Sequence, residues 1–162
     1  MTALRPGASF AFAHPAHAVA FGFGAGLAPF APGTAGTLVA WPVATLLVAA
    51  MPPVAVVALA AALFALGVWC CGVTARHLGV ADHPGMVWDE MVAFLLVLAI
   101  VGDTMTWQAA AFVLFRFFDI AKPPPIRWLE RRRRDGFGVM IDDLLAAGYA
   151  LLVLALAKRL LA

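Results

Sequence analysis

Residues 53–73 read PVAVVALAAALFALGVWCCGV, a run of 21 residues without a charged side chain. A helix of about 20 apolar residues spans the hydrocarbon core of a bilayer, and a second long apolar run covers 144–161. The composition agrees, because 64% of the 162 residues are hydrophobic and only 12% are charged, against roughly 45–50% and 25% in soluble domains. These values exclude a disordered chain and a soluble coiled coil, and they predict a protein embedded in a membrane.

Three further apolar stretches cover 37–51, 91–101 and 107–118. The first is broken by Pro42, a residue that is costly inside a soluble helix but is tolerated in membrane helices whose neighbours satisfy the freed carbonyls. The other two are short and flank the turn signal at 102–104, so they predict a tight helical hairpin that crosses incompletely. The alternation typical of strands is absent. We therefore expect an all-α fold, a membrane-embedded bundle of short, broken helices that forms a single domain over 1–162.

The charged residues are confined to a few windows. Eight of the nine acidic residues lie in 82–90 and 119–143, and seven of the eleven basic residues lie in 116–134. Lys and Arg in short loops stay on the cytoplasmic side, and two helical hairpins would return the chain to that side. We therefore expect 22–36, 74–90 and 119–143 to meet in a polar site that faces the cytoplasm. The net charge of +2 is too balanced to predict a nucleic-acid partner.

Two pairs of adjacent carboxylates, Asp89-Glu90 and Asp142-Asp143, stand where apolar segments begin. Each pair alone is explained by the preference for negative charge at a helix N-terminus. However, carboxylates close to a bilayer are costly, and two pairs on one membrane face favour a shared site. Oxygen ligands of this kind suit Mg²⁺, which also keeps waters and substrate phosphate in its coordination shell.

Two other stretches are candidates for binding phosphate. Residues 33–37 read GTAGT at the start of an apolar helix, where backbone N–H groups and hydroxyls suit an anion, although a capped helix start explains the pattern equally simply. Arg116 and Lys122 each lie three residues from Asp119, so two cations surround one carboxylate; local ion pairs are the alternative interpretation. The candidates for phosphate binding are Gly33, Thr34, Gly36, Thr37, Arg116, Lys122 and Arg127.

Cys70 and Arg76 match the C-x5-R spacing of phosphatases that use a cysteine nucleophile. That chemistry requires an electropositive loop that lowers the thiol pKa, whereas Cys70 follows a long apolar run. We therefore expect Cys70 and Cys71 to be small buried residues without a disulfide.

Taken together, four stretches resemble the phosphatidylglycerophosphatase A family. They are GFGAGLAPFAPGTAGTLVAWP at 22–42, DHPGMVWDEM at 82–91, FRFFDIAKPPPIRW at 115–128 and GFGVMIDDLLAAG at 136–148. The resemblance covers residues 21–148, and the chain departs from the usual pattern at Met91, Ala93 and Pro124.

The resemblance implies a Mg²⁺-dependent, multi-pass enzyme of the bacterial inner membrane. Such an enzyme hydrolyses phosphatidylglycerophosphate to phosphatidylglycerol and phosphate in phospholipid biosynthesis, so its partners are this substrate and membrane lipids. By the same resemblance, the metal-binding or catalytic residues are Asp89, Glu90, Asp142 and Asp143, with Asp82 and Asp119 as further metal candidates. The nucleophile is either a water or an aspartate.

A non-enzymatic alternative is a small channel or transporter subunit with a carboxylate-lined path. That function requires acidic residues deep within the apolar segments. Here they gather at segment ends, and only Asp103 lies between two apolar stretches. The pattern therefore favours the enzyme.

Overall fold

The computed structural model describes residues 6–102 and 104–161, and Asp103 lies outside the described residues. Every regular element in the described part of the chain is helical, which confirms the predicted all-α fold. A 3₁₀ segment, Gly22–Leu27, follows the first two short helices. The helices are α1 (Ala8–Ala11), α2 (Pro15–Ala20), α3 (Pro32–Ala50), α4 (Pro53–Leu78), α5 (Trp88–Val101), α6 (Met105–Ala121), α7 (Ile126–Arg132) and α8 (Gly136–Leu161).

Three of these helices are long and apolar enough to cross a membrane, namely α3, α4 and α8 with 19, 26 and 26 residues. The prediction that Pro42 breaks the first apolar segment is wrong, because α3 runs through it without interruption. Proline is tolerated within a membrane helix when neighbouring helices, Ser or Thr side chains or small local adjustments satisfy the backbone carbonyl that it leaves free. The α5–α6 hairpin is short, as predicted, with helices of 14 and 17 residues.

Helix α5 lies at the centre of the bundle, where it packs against α3, α4, α6 and α8. Ten of its fourteen residues are buried, among them Phe94, Val97 and Leu98. Asp89 and Glu90 occupy its first turn, where the helix macrodipole favours negative charge. This central position carries the acidic pair into the interior rather than onto the surface.

Close contact between α4 and α8 depends on Gly136. A Cβ atom at this position would lie 2.1 Å from the carbonyl oxygen of Val68 and 2.6 Å from the backbone nitrogen of Gly72. Small residues allow membrane helices to approach this closely. The crossing places the first turns of α8, with Asp142 and Asp143, beside α5.

The polar stretches meet at one end of the bundle, which we call the carboxylate end. The N-termini of α3, α5 and α8 lie at this end together with the C-terminus of α6. Side chains from the four helix ends contact one another there. At the opposite end, Lys158 of α8 donates a hydrogen bond to the carbonyl of Val101, the last residue of α5. The sequence prediction that the separate polar segments share one face is therefore confirmed.

Candidate active site

Three carboxylates form the centre of the site. One oxygen each from Asp89, Glu90 and Asp143 lies within 4.8 Å of the others, and all three residues are buried. Asp89 and Glu90 come from the first turn of α5, and Asp143 comes from the second turn of α8. We call these residues the carboxylate triad.

Several oxygens of these side chains have no protein partner. Within the described residues, Asp89 Oδ1, Glu90 Oε2 and Asp143 Oδ2 are buried without a hydrogen bond. A buried, unpaired carboxylate oxygen is costly, and a bound cation would compensate that cost. The triad therefore fits a hard divalent cation, which takes oxygen ligands.

Burial also acts on the proton equilibria at the start of α5. Loss of solvent contact, followed by the neighbouring charge of Glu90, raises the pKa of Asp89 well above its ordinary value. The pKa of Glu90 is raised in the same direction, again mainly by burial and then by the charge of Asp143, although Arg116 opposes the rise. Crowding of negative charge in a dry site is the electrostatic situation that a metal ion relieves.

Arg116 links α6 to the triad. Its Nη1 atom donates to Glu90 Oε1 over 3.3 Å and lies 2.7 Å from Asp119 Oδ2, which confirms the expected contact between residues three apart on one helix. The Nε atom of Arg116 is buried and has no hydrogen-bond acceptor among the described residues. One donor of the guanidinium therefore remains available beside the carboxylates.

Gly33 brings the start of α3 into the same site. A Cβ atom here would lie 1.9 Å from Glu90 Oε1 and 2.9 Å from Arg116 Nη2. No side chain fits at this position without displacing the ion pair. Gly36 makes a similarly close approach one turn later, where a Cβ would lie 2.7 Å from Cβ of Val87. The glycines of the GTAGT stretch thus allow α3 to pack against the start of α5.

Thr37 is fully buried, and its hydroxyl donates to the Gly33 carbonyl over 2.9 Å. Thr34 is half-buried in the first turn of α3. Arg127 lies in α7, where it is exposed and donates to the carbonyl of Ala121. The structure thus places Gly33 against the triad, whereas Arg127 contacts the end of α6.

Asp142 and Asp143 diverge although they are adjacent in sequence. Asp142 is buried but points toward Lys122, whose Nζ lies 3.8 Å from Asp142 Oδ2. Lys122 also donates to Glu130 Oε1 over 3.0 Å. Asp119 lies beside both Asp143 and Arg116. Asp82 is exposed in the loop before α5, where it lines a polar cavity together with Asp142.

The environment of Lys122 was only partly predictable. Its backbone has a φ of 41° just beyond the end of α6, so the side chain leaves the face that carries Asp119 and turns toward Glu130 and Asp142. Burial alone would lower the pKa of Lys122. The hydrogen bond from Lys122 to Glu130 and the negative charges of Glu130, Asp82 and Asp142 outweigh the effect of burial, so the pKa of Lys122 is raised. Glu130 was missed from the sequence, since an acidic residue in an arginine-rich stretch gives no sign of its partner.

Cys70 and Cys71 are free, buried residues within α4, as predicted, so the C-x5-R spacing does not form a loop. His17 is buried, and its Nε2 lies 2.7 Å from Nδ1 of His77. This contact ties α2 to the end of α4, away from the triad.

Comparison with known proteins decides the family. The model of the family described as Phosphatidylglycerophosphatase A matches residues 18–158. This chain belongs to the phosphatidylglycerophosphatase A family. Membership of this family makes the protein a phosphatase. The alternative hypothesis of a channel or transporter subunit therefore loses its basis.

Relatives within this family cover most of the chain. A Haemophilus influenzae protein named Phosphatidylglycerophosphatase A is 43% identical over 155 residues, covering 94% of this chain and 94% of its own. An Escherichia coli protein of the same name is 41% identical over 138 residues, covering 82% and 77%. A Bacteroides thetaiotaomicron protein is 40% identical over 144 residues, covering 85% of this chain and 89% of its own. Its name is "Putative phosphatidylinositol-3-phosphatase". No solved structure matches the chain.

Proposed function

We propose that this protein hydrolyses the terminal phosphate monoester of phosphatidylglycerophosphate, releasing phosphatidylglycerol and inorganic phosphate in a Mg²⁺-dependent reaction. The observation that carries the proposal is the buried carboxylate triad beside Arg116 in a chain of the phosphatidylglycerophosphatase A family. Two relatives bear the name of this activity. A phosphate on a lipid headgroup also matches a site at one end of a membrane bundle.

Asp89, Glu90 and Asp143 would hold the metal through the oxygens that lack a protein partner. A bound Mg²⁺ ion polarises phosphoryl oxygens and lowers the pKa of a coordinated water. Asp142 and Asp119 belong to the surrounding shell, because they lie outside the carboxylate triad and each has one oxygen facing a cation of the site. Such neighbours orient the direct ligands and influence their basicity.

Arg116 and Lys122 supply the positive charge that a phosphate dianion requires. Arg116 is positioned by Glu90 and Asp119, which leaves its buried Nε free to donate to a phosphoryl oxygen. Lys122 is positioned by Glu130 and Asp142 on the adjacent side. Charge-assisted hydrogen bonds of this kind favour the transition state when they are preorganised.

In the overall reaction, an oxygen originating from water forms a bond to phosphorus. The bond between phosphorus and the glycerol oxygen breaks, and that oxygen takes up a proton. Gly33 lets the first turn of α3 pack directly against Glu90 and Arg116, so that its backbone N–H groups would lie beside the reacting phosphate. The acyl chains of the substrate would stay in the bilayer while its headgroup reaches the carboxylate end.

We also propose that the protein lies in a bacterial inner membrane with its carboxylate end on the cytoplasmic side. The arginine run at 131–134 lies at this end, next to the start of α8. Positively charged loops are retained on the cytoplasmic side.

The test is phosphate release by the purified, detergent-solubilised protein with Mg²⁺ and with EDTA. The substrates are phosphatidylglycerophosphate, phosphatidic acid and phosphatidylinositol 3-phosphate, presented in the same mixed micelles. We expect rapid release from phosphatidylglycerophosphate only when Mg²⁺ is present, and no release by Glu90→Gln. Gly148→Ala is a matched control, because Gly148 is exposed and has open space around it. Preferential hydrolysis of either other lipid, or release that persists in EDTA, would contradict the proposal.

A further inference from the structure

A groove runs along the flank of the bundle between α3 and α4. These two helices are consecutive but barely touch each other, and α5 lies behind them as the floor of the groove. The cavity has a volume of about 470 Å³, which lies within the range of about 300–1,000 Å³ found for ligand sites. Ala40 and Ala44 form one wall, Leu63 belongs to the other, and Met91 and Leu95 form the floor.

The groove has the character of the bilayer interior. Every side chain that lines it is apolar except for the indole nitrogen of Trp88, and that nitrogen already donates to the carbonyl of Leu63. Val39 and Val43 on α3 line it and are 50% and 54% exposed, so the opening continues the apolar outer surface of a membrane-length helix. The ligand that meets such an opening at high concentration is a hydrocarbon chain.

The 3₁₀ segment lines the end of the groove nearest the carboxylate triad, where Gly22 lies against Val87 and Met91 at the start of α5. Phe23 lines the groove there, is 64% exposed, and packs edge-on against Trp88 with ring centroids 6.1 Å apart. Its backbone has a φ of 53°, a conformation that is costly for a residue with a side chain and is concentrated at functional sites. Trp88 directly precedes Asp89 in α5, so this end of the groove lies next to the acidic turn.

We propose that this groove binds one acyl chain of the lipid substrate, so that the chain fixes the headgroup at the carboxylate end. The proposal rests on the proposed function, because it assigns the occupant as a substrate lipid. Three observations support it: the apolar lining, the opening onto the lipid-facing side of α3, and the position of Trp88 beside Asp89. The alternative occupant, an ordinary bilayer lipid, makes a different prediction in the experiment below.

The first experiment fills the groove and compares two substrates. Val43→Trp adds bulk from the partly exposed rim, and Val57→Trp is the matched control, since Val57 is 48% exposed on α4 and does not line the groove. Each variant is assayed on phosphatidylglycerophosphate with oleoyl chains and on its dihexanoyl analogue. We expect Val43→Trp to lower kcat/KM at least about tenfold on the long-chain substrate, because contacts with several methylenes are lost. The short-chain rate and both rates of Val57→Trp should be unchanged.

Two outcomes of this experiment would overturn the proposal. An unchanged long-chain rate in Val43→Trp would show that the groove does not contribute to substrate binding. An equal loss on both substrates would show that the groove supports the fold or a structural lipid rather than the substrate's chain.

A second experiment does not depend on turnover, so it separates this proposal from the proposed function. Phosphatidylglycerophosphate with a diazirine near the end of one acyl chain is photolysed with the protein in EDTA, and the labelled residues are mapped by mass spectrometry. We expect label on the groove-lining residues of α3 and α5, lost in Val43→Trp and kept in Val57→Trp. Label spread along all lipid-facing helices, or equal labelling by a phosphatidylcholine probe, would overturn the proposal even if the enzyme proves to be active.

Discussion

At the scale of single residues, Gly33 is the position where α3 packs directly against the Glu90–Arg116 pair, with no space for a side chain. We expect Gly33→Ala to lower phosphate release about 100-fold, since displacing a reacting group by about 1 Å costs this much. The protein should still purify as a folded species with unchanged circular dichroism. Gly148→Ala should retain the wild-type rate, and equal rates for the two alanine variants would contradict this role of Gly33.

Arg116 provides a second prediction at this scale. Its guanidinium contacts two carboxylates and leaves one buried donor available, whereas a lysine cannot reproduce this fork. We expect Arg116→Lys to lower kcat about 100-fold, the loss typical for removing one preorganised donor. Arg127→Lys is the control, because Arg127 is exposed and donates to a carbonyl outside the triad. A wild-type kcat for Arg116→Lys would remove Arg116 from the mechanism.

The sequence predicted that both acidic pairs would share one site, but it could not separate their roles. Adjacent helical residues differ by about 100° in direction, so the side chains of Asp142 and Asp143 leave α8 in different directions. Asp143 joins Asp89 and Glu90, while Asp142 faces Lys122. This assignment depends on the rotation of α8 about its axis, which is set by the packing of Gly136 on α4 and is not encoded in the local motif.

At the scale of helices, a polar cluster joins α3 to α6 away from the triad. Gln108 is buried; its Oε1 accepts from Trp41 Nε1 over 2.8 Å and from Thr45 Oγ1 over 3.2 Å. Hydrogen bonds between membrane helices stabilise a bundle by about 0.6–2 kcal/mol. We expect Gln108→Leu to lower the free energy of unfolding in detergent by about this amount, measured by denaturant titration. The Mg²⁺ dependence of phosphate release should not change, and a shifted dependence would contradict the separation of the cluster from the site.

The helices themselves were predicted with one instructive error. The long apolar runs predicted α4 and α8, and the turn signal at 102–104 predicted the α5–α6 hairpin. Pro42 was given too much weight, because groups on neighbouring helices and local adjustments can satisfy the carbonyl that a proline leaves free in a membrane helix. The groove beside α5 depends on how far α3 and α4 diverge, a property of tertiary packing that no local pattern records.

At the scale of the whole molecule, the fold makes a prediction about orientation in the membrane. Asp135 is exposed at the carboxylate end, and Thr104 is exposed at the opposite end. Cys70 and Cys71 are buried, so cysteines introduced at these two positions can be labelled selectively. In intact spheroplasts, we expect an impermeant maleimide to label Thr104→Cys but not Asp135→Cys, and permeabilisation to expose both. The reverse pattern would place the site on the periplasmic side.

The arrangement of the whole bundle explains why a soluble scaffold is unnecessary for this chemistry. The central helix α5 begins with the acidic pair and is surrounded by helices that exclude water along its length. Its first turn therefore lies where a lipid headgroup and a metal ion can meet, while the rest of the bundle stays in contact with acyl chains. In the function that we propose, binding the substrate at the membrane surface would remove the need to extract it from the bilayer.

The central claim is that Asp89, Glu90 and Asp143 together hold the metal that phosphate release requires. Its most direct test is a Mg²⁺ titration of phosphate release from phosphatidylglycerophosphate by the wild type, Asp143→Glu and Asp142→Asn. We predict that Asp143→Glu needs at least about tenfold more Mg²⁺ for half-maximal activity, since a longer side chain misplaces a ligand, whereas Asp142→Asn shows a smaller shift. An unchanged Mg²⁺ requirement in Asp143→Glu, or full activity of the wild type in EDTA, would contradict the account.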